Sequence, residues 1–532
     1  MKNNTVEANS EPAIDWSVFV PALIVVLVAS IPLIMFPDFA ASTFDRWRDA
    51  VLTNFLWLYL LLGLAALVFC GWLALGRYAH VKLGAPGEPP EYSNTHWVAM
   101  MFTAAIGGSV IAWGFAEPIF YLQTPPMGIE VGSAKSFEWA HMYPLLHWGL
   151  VPWAFYTVPA VPIAYMLYVK RYKTLRISSA CDGALPKKGR EQIKTTIDIL
   201  IVLGIVSGVA TSLGLGVPLM SAMLSTMFGV NDSMLIKLAV LLLWTLLFGA
   251  SVYRGLKKGI KILADINIAL GVLALVFVLL AGPTLFILDL TVNSVGLMFD
   301  NFFATATWTD PIENGNFPKS WTGFYWAWWI AYTGMVGLFF GRISRGRTIR
   351  QVVFGIIGWG CLGTWLFLAI MGGYSLYLES TGVLSVSDIL TNQGMGFVNA
   401  LVIAEMPLGK ITLAVFSVLI LIFNATTIDS SAFVLASVCA KNIRNDQEPR
   451  RWTRVVWAVL LALLTAGILQ SGTLDVVQSM SVLGSLPLIP IVVLLCVSLV
   501  HWLNEDFGDR VRPTELVLDA EDLKADSQTS QY

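Results

Sequence analysis

Charged residues are scarce in this sequence. Asp, Glu, Lys and Arg make up 13% of the 532 residues, whereas 56% are hydrophobic and the mean hydropathy is +0.70. A water-soluble protein of this size carries about twice that charged fraction. The composition therefore excludes an ordinary soluble protein and indicates an integral membrane protein.

Patterns typical of enzymes and metal centres are also missing. The five histidines form no HExxH motif, no GxSxG motif lies in a strand-turn-helix context, and the five cysteines show no paired spacing. These absences argue against a membrane-embedded enzyme, a disulfide framework and a resident cofactor. A passive channel stays open as an alternative, and a coupling ion such as sodium is the one cofactor that we consider.

Long apolar segments are abundant. A helix needs roughly 20 apolar residues to cross a bilayer, and twelve segments qualify, near residues 16–36, 55–76, 96–122, 143–169, 196–221, 233–253, 261–287, 321–341, 352–378, 410–440, 452–471 and 479–502. More than half of the 33 Lys and Arg residues lie in the even-numbered connections between them. Positive residues favour the cytoplasmic side, so we expect an all-α integral membrane protein with twelve transmembrane helices and both termini in the cytoplasm.

Two of these segments contain glycine clusters. "TAAIGGS" lies in the third segment and "YTGMVG" in the eighth, five helices later. Interrupted helices in corresponding positions indicate a five-plus-five inverted repeat with its binding site at the membrane midplane. Glycine also allows close helix packing, which remains the alternative explanation.

The eighth segment, "FYWAWWIAYTGM", is rich in aromatic rings. Helical spacing places Tyr325, Trp328 and Trp329 on one face, and Trp326 points elsewhere. Trp321, on the same face at the outer end, suits an interfacial aromatic belt. Trp328 and Trp329 lie roughly 10–12 Å deeper at 1.5 Å per residue, which is beyond such a belt.

The fourth segment, "LLHWGLVPWAFY", carries a matching set. Trp148, Trp153 and Tyr156 lie about 8–20 Å below the same surface. Rings from two helices at one depth predict a cage for a quaternary ammonium group, because that group has no N–H to donate and is attracted to ring faces by roughly 0.5–2 kcal/mol each. Packing within a protein core is the alternative.

The tenth segment contains "FNATTIDSS", which is unusually polar for its depth. Thr426 and Thr427, together with Thr103 of the third segment, predict a site for a small hard cation formed by hydroxyls and freed carbonyls. The alternative is hydroxyl-to-backbone hydrogen bonding within the helix.

Three of the ionisable residues inside the predicted segments are candidates for a functional role. We expect solvent to reach Glu117 near the outer end of its helix, and Asp429 to need an Arg, Lys or backbone partner. Either could serve a proton-coupled mechanism, although structural pairing is the simpler role. We interpret His147 as a core histidine with satisfied hydrogen bonds.

Several motifs resemble the betaine/choline/carnitine transporter (BCCT) family: "FYWAWW", "GRISRGRT", "HWGLVPWAFY", "WGFAEPIFYLQTPP" and "TSLGLG". "TPPMGIE" is most similar to the carnitine/γ-butyrobetaine antiporter branch. The resemblance covers essentially the whole hydrophobic chain. It implies a homotrimer in the bacterial inner membrane, in which two helices precede a LeuT-like five-plus-five inverted repeat.

This resemblance also divides the chain. It implies a cytoplasmic N-terminus over 1–15, two helices over 16–95, repeats over 96–287 and 321–502 with a periplasmic connection over 288–320, and a short acidic cytoplasmic tail over 503–532.

The resemblance assigns a substrate site residue by residue. Its aromatic box falls on Trp148, Trp153, Tyr156, Tyr325, Trp328 and Trp329. Phe120 replaces a tyrosine of the carnitine antiporters, and the broken third helix, over residues 105–109, adds Gly107, Gly108 and Ser109.

The ion site that the resemblance implies is drawn from sodium-coupled relatives. It falls on Thr103, Ile106, Phe423, Thr426 and Thr427. Sodium-independent antiporters have an arginine where this chain has Asn267, and losing that fixed charge favours a real cation. A second sodium site lacks its hydroxyls, since Ile205 and Val209 stand there, so we expect one sodium per substrate.

We therefore predict a secondary transporter that takes up carnitine, γ-butyrobetaine or glycine betaine by alternating access, with choline less favoured. Sodium symport is the preferred coupling. A sodium-independent substrate/product antiporter and a proton-coupled choline/betaine symporter are the alternatives.

Overall fold

The computed structural model describes residues 12–104, 107–254, 257–441, 443, 447–472 and 474–508; for residues 248, 250–254 and 257–265 only the backbone is described. Within these ranges the chain is helical and has no β-strand beyond two isolated bridges, Ile14–Ala440 and Lys82–Thr348. The predicted all-α class is confirmed for this part of the chain. Ile106, most of the N-terminal segment and most of the acidic tail lie outside the described residues.

Helices follow one another with short connections. The α-helices are α1 (Trp16–Met35), α2 (Pro37–Leu75), α3 (Asn94–Ala104), α4 (Gly108–Gly114), α5 (Glu117–Gln123), α6 (Ala134–His147), α7 (Leu150–Tyr168), α8 (Arg190–Phe228), α9 (Met234–Arg254), α10 (Lys257–Ala281), α11 (Thr284–Asp300), α12 (Phe302–Ala306), α13 (Phe324–Ala331), α14 (Thr333–Ile343), α15 (Ile349–Phe354), α16 (Gly360–Thr381), α17 (Val386–Gln393), α18 (Met395–Ala404), α19 (Gly409–Val438), α20 (Arg451–Ser471), α21 (Leu474–Ser485) and α22 (Ile489–Phe507). Short 3₁₀ and π-helical turns occupy Ile177–Cys181, Pro318–Gly323, Gly355–Trp359 and Leu486–Leu488.

Within the described residues, each apolar segment predicted from the sequence lies mostly in helix. Among the described residues, eight helices are long and apolar enough to cross a membrane, or ten if each of two bent pairs counts as one span. One of these pairs, formed by α11 and the end of α10, bends by 106°. The structure therefore supports a multi-pass membrane protein with eight to ten spans by these criteria.

The two glycine-rich segments are interrupted where the sequence suggested. In the third segment, α3 ends at Ala104 and α4 begins at Gly108, after an extended Gly107 with φ −146° and ψ 172°. In the eighth, a π-helical turn leads into α13, which ends at Ala331, and α14 begins at Thr333.

Close packing of α14 along α7 brings the two aromatic sequences together. A side chain at Gly337 would begin 2.6 Å from the Pro159 ring, and one at Gly341 would begin 2.8 Å from Ile163. Because these positions have no Cβ, the two helices approach closely enough for their aromatic residues to meet at one place.

Candidate substrate site

An internal cavity of about 160 Å³ lies between the aromatic helices and the break in the third segment. Its lining includes eight of the ten predicted substrate residues and one predicted ion residue: Trp148, Trp153, Tyr156, Trp328, Trp329, Gly107, Gly108, Ser109 and Thr427. Pockets for drug-sized ligands occupy about 300–1,000 Å³. The cavity therefore suits a smaller solute.

The aromatic wall of this cavity forms around Trp329. The Trp329 ring lies 4.6 Å from the Tyr156 ring, 5.6 Å from Trp153 and 5.5 Å from Trp148, measured between centroids. Trp148 also meets Trp328 edge to face at 5.8 Å. Rings from α7, α13 and the α6–α7 junction thus form one continuous surface.

The indole N–H groups of this wall are all directed to acceptors outside the lining. The N–H groups of Trp148, Trp153, Trp328 and Trp329 donate, respectively, to Glu117 Oε2 at 2.9 Å, Thr364 Oγ1 at 3.3 Å, the Gly208 carbonyl at 3.3 Å and the His147 carbonyl at 3.1 Å. The hydrogen bonds hold the ring orientations. They also leave no unpaired indole donor that a ligand would have to satisfy.

Local backbone features explain how Trp148 and Trp153 reach the cavity. Trp148 follows the last residue of α6, and Gly149 separates it from α7. A Cβ at Gly149 would stand 2.4 Å from the Leu145 carbonyl oxygen. A Cβ at Gly360 would stand 2.3 Å from the Trp153 ring, so glycine at this position gives the indole its place.

A row of three hydroxyls also lines the cavity. Ser212 Oγ lies 2.7 Å from the Tyr332 hydroxyl and 3.3 Å from Ser109 Oγ, and all three residues belong to the lining. Sequence reasoning assigned no role to Ser212 or Tyr332. Both residues belong to motifs of the sequence, "TSLGLG" and "YTGM". A hydroxyl in an apolar helix, however, does not by itself reveal where it points.

Two predicted substrate residues lie away from this cavity. Tyr325 is behind the wall, where its ring stacks on His147 with centroids 4.7 Å apart. Phe120 packs on Trp321 at 5.0 Å and lines a separate cavity of about 330 Å³ near Asp232.

The prediction that Trp321 belongs to an interfacial belt is wrong. Its side chain is only 6% exposed and packs on Phe120 and Tyr121, each at 5.0 Å. Trp326 points away from the cavity, as expected, toward Gly63 of α2. Aromatic packing of α5 against the start of the eighth segment overrides the helix-end position that suggested a belt.

Most of the predicted ion site is not assembled around the cavity. Only Thr427 belongs to the lining, whereas Thr103, Phe423 and Thr426 do not. The hydroxyls of Thr426 and Thr427 both donate to the Phe423 carbonyl at 2.9 Å. The local hydrogen bonding that the sequence left open is therefore present, although each hydroxyl oxygen keeps lone pairs that could bind a cation.

Asn267, which stands where the antiporters have arginine, is buried on α10. Its amide nitrogen donates to the Leu419 carbonyl of α19 at 3.4 Å, and its side-chain oxygen has no hydrogen-bond partner among the described residues. This position therefore brings no fixed charge to the interface between the two helices.

The ionisable residues differ from expectation at one position. Glu117 is 0% exposed, so the prediction that solvent reaches it is wrong. Asp429 accepts a hydrogen bond from Arg454 at 2.8 Å, which is the kind of partner predicted for it. His147 is buried with both ring nitrogens in hydrogen-bonding distance of a partner, as predicted.

No cluster of three or more His, Cys, Asp or Glu residues that could hold a metal ion occurs in the described ranges. The cavity lining offers aromatic rings and hydroxyl oxygens, among them the hydroxyl of Thr427. These groups can bind and orient a small cation or zwitterion.

Two sequence comparisons with known proteins cover most of the chain. The sequence profile of the BCCT, betaine/carnitine/choline family transporter, matches residues 17–508. A carnitine transporter of Acinetobacter baumannii (strain ATCC 19606) is 31% identical over 470 residues, which cover 88% of this chain and 84% of that protein.

A solved structure of a Na⁺-coupled sialic acid symporter in a substrate-bound outward-open state covers 82% of this chain and 81% of its own, with 14% identity and a TM-score of 0.38. We draw no conclusion from a similarity at that level. The family match over nearly the whole chain identifies a membrane transporter and not an enzyme: the chain belongs to the betaine/carnitine/choline transporter family.

Proposed function

We propose that this protein is a secondary active transporter of zwitterionic trimethylammonium compounds, with carnitine, γ-butyrobetaine and glycine betaine as the candidate substrates. The ligand would lie in the 160 Å³ cavity while the surrounding helices alternate between inward-open and outward-open arrangements. Membership of a family named for betaine, carnitine and choline supports a quaternary ammonium substrate, and the candidates share one such head group.

The observation that carries the proposal is that two kinds of group line one cavity. The tryptophan rings have their N–H groups already hydrogen-bonded elsewhere, which suits a methylated ammonium group that cannot donate. Ser109, Ser212 and Tyr332 carry hydroxyls that can donate to a carboxylate. A zwitterion can use both kinds of group, whereas choline has no carboxylate for the hydroxyls.

Sodium symport is the coupling that we propose. Thr427 lines the cavity and offers a hydroxyl oxygen next to the break in the third segment, and oxygen ligands of this kind suit a small hard cation. A bound Na⁺ at this point would stabilise one conformation and couple its gradient to uptake. Phe423, Thr426, Thr103 and Ile106 would complete the site after a local rearrangement.

Sodium-independent exchange is the second candidate, and one observation favours it. Among the described residues, the hydroxyls of Thr426 and Thr427 both donate to the Phe423 carbonyl, so they have local partners without an ion. Proton-coupled symport of choline or betaine is a further alternative, for which Glu117 would be the candidate proton carrier.

Assembly and orientation are proposed on the family resemblance. They comprise twelve transmembrane helices, two of which precede a five-plus-five inverted repeat, a homotrimer, and both termini on the cytoplasmic side of the bacterial inner membrane. Crosslinking of purified protein and cysteine-accessibility mapping of the even-numbered loops would test the oligomeric state and the orientation.

Transport into proteoliposomes tests the function. Radiolabelled carnitine, γ-butyrobetaine, glycine betaine and choline are offered with and without an inward sodium gradient, and with and without unlabelled substrate inside the vesicles. We expect saturable uptake of the zwitterions that is concentrative with a sodium gradient. Stimulation by internal substrate without sodium would instead establish exchange, and failure to transport any of the compounds would contradict the proposal.

A further inference from the structure

Glu117 is a fully buried carboxyl group directly behind the aromatic wall. It is the first residue of α5, and its Oε2 atom accepts the Trp148 indole N–H at 2.9 Å. The Trp148 indole itself lines the cavity. One aromatic side chain therefore separates the carboxyl group from the space in which a ligand would bind.

A chain of hydrogen bonds ends at this carboxyl group. The Tyr121 hydroxyl lies 2.6 Å from Glu117 Oε1 and 2.8 Å from His147 Nδ1, and His147 Nε2 lies 3.1 Å from the Thr322 hydroxyl. One arrangement that satisfies every group has Thr322 donating to His147, His147 Nδ1–H donating to Tyr121, and Tyr121 donating to Glu117. We adopt this arrangement, and with it the Nδ1–H tautomer of His147.

In this arrangement both Glu117 oxygens accept hydrogen bonds and the imidazole is neutral. The carboxyl group is then an anion that lacks a cationic partner: within the described part of the chain, His147 at 3.4 Å is its only ion-pair candidate. A buried charge is costly without a counter-charge. The cavity that Trp148 lines is a space that can admit one.

We propose that Glu117 serves the ammonium end of the site in two ways, as the positioning residue for Trp148 and as the counter-charge that the neutral lining lacks. This inference rests on the proposed function and deepens it. The hydrogen bond holds the indole with its face toward the cavity. The negative charge attracts the cation through a weakly polar environment, in which charges interact over longer distances than in water.

The hydrogen bond from the Trp148 N–H to a carboxylate also strengthens the attraction between the Trp148 ring and a cation. A charge-assisted hydrogen bond polarises the donor, so the indole ring becomes more electron-rich and its face attracts a cation more strongly. Trp148 is therefore expected to contribute more than the other rings of the wall, because their N–H groups donate to neutral acceptors.

The test compares two ligands of the same shape and different charge. γ-Butyrobetaine carries a trimethylammonium group, and 5,5-dimethylhexanoate has a neutral tert-butyl group in the same place. Both are titrated against detergent-purified full-length protein by tryptophan fluorescence, in the wild type and in Glu117→Gln. Glutamine keeps an acceptor for the Trp148 N–H and removes the charge.

We expect the affinity for γ-butyrobetaine to fall about tenfold in Glu117→Gln, while the affinity for the neutral isostere changes little. The ratio of the two affinities is thus the readout of the charge. Equal loss for both ligands would reduce Glu117 to a structural residue, and no loss for either would remove its role as the counter-charge.

Two further variants complete the experiment. Tyr121→Phe removes a hydrogen bond and no charge, so we expect a smaller change in the affinity ratio than in Glu117→Gln; an equal change would contradict the electrostatic role. Glu379→Gln removes a carboxylate that accepts the Ser387 amide and lines neither cavity, and its ratio should match the wild type.

Thermal unfolding measurements establish that each variant is folded. If the wild type binds neither γ-butyrobetaine nor any other trimethylammonium compound, the proposed function fails. If the wild type binds γ-butyrobetaine and Glu117→Gln binds it equally well, only the inference about Glu117 fails.

Discussion

The aromatic wall and the threonine region of α19 differ in where their polar groups find partners. In the wall, every indole N–H donates to a residue distant in sequence, such as Trp153 to Thr364 of α16. In α19, Thr426 and Thr427 both donate to Phe423, one turn away in the same helix. Rings are thus held in place by tertiary packing, whereas the threonine hydroxyls are satisfied locally. A preformed site for the ammonium group is therefore better supported than a preformed site for an ion.

Among the variants that test this comparison, we expect Trp329→Leu to change ligand affinity most. Trp329 contacts three other rings of the wall, so its loss removes one cation–π partner and loosens the rest. We expect the affinity for γ-butyrobetaine to fall by about 10- to 100-fold, as measured by fluorescence titration.

Trp326→Leu on the same helix is the matched control. Trp326 is buried and does not line the cavity, so the variant should unfold at a lower temperature while its folded fraction binds the ligand normally. Wild-type affinity in Trp329→Leu would contradict the cage.

The hydroxyl row should give an intermediate effect that depends on the ligand. Ser212→Ala and Tyr332→Phe each remove a donor near the predicted carboxylate position, and hydrogen bonds to charged groups contribute about 1.5–3 kcal/mol. We expect each variant to weaken γ-butyrobetaine binding by about tenfold or more and to leave choline binding nearly unchanged.

Ser207→Ala provides the control for this prediction. Ser207 lies on α8, one turn before Thr211, and donates to the Gly204 carbonyl of its own helix outside the cavity lining. Equal losses of affinity for γ-butyrobetaine and choline in Ser212→Ala would show that the hydroxyl row does not bind the carboxylate.

The smallest effects on uptake should come from replacing the two threonines. These variants distinguish an ion site from hydroxyls that are only hydrogen-bonded within the helix. Thr427 lines the cavity and Thr426 does not, although both make the same bond to Phe423. If Thr427 binds sodium, Thr427→Ala should raise the sodium concentration for half-maximal uptake several-fold, and Thr426→Ala should change it less. A double variant with full sodium dependence would exclude this region as the ion site.

Much of the fold could be predicted because a membrane helix is a local feature. Apolar length located the long helices, although α12, α17 and α18 lie outside the twelve segments, and the glycines of "TAAIGGS" located the break before Gly108. The aromatic wall could also be predicted from the sequence, because Trp328 and Trp329 lie too deep for an interfacial belt and the fourth segment supplies partners at the same depth.

Other features could not be predicted because they depend on what packs nearby. Trp321 stands at a helix end, where a belt is common, yet α5 covers it. Glu117 also stands near the outer end of its predicted segment, but its side chain is fully buried. Ser212 and Tyr332 carry no sequence signal because a hydroxyl in a helix can satisfy itself locally, and only the packing of α8 against α14 aims both at one space.

By itself, the sequence determined that the chain crosses a membrane repeatedly and that rings on two helices share a depth, because hydrophobic length and helical periodicity are properties of consecutive residues. Tertiary structure alone decided which rings enclose the cavity, which hydroxyls complete it and that a carboxyl group lies behind Trp148. Those outcomes depend on contacts between residues far apart in the chain, and no local pattern encodes them.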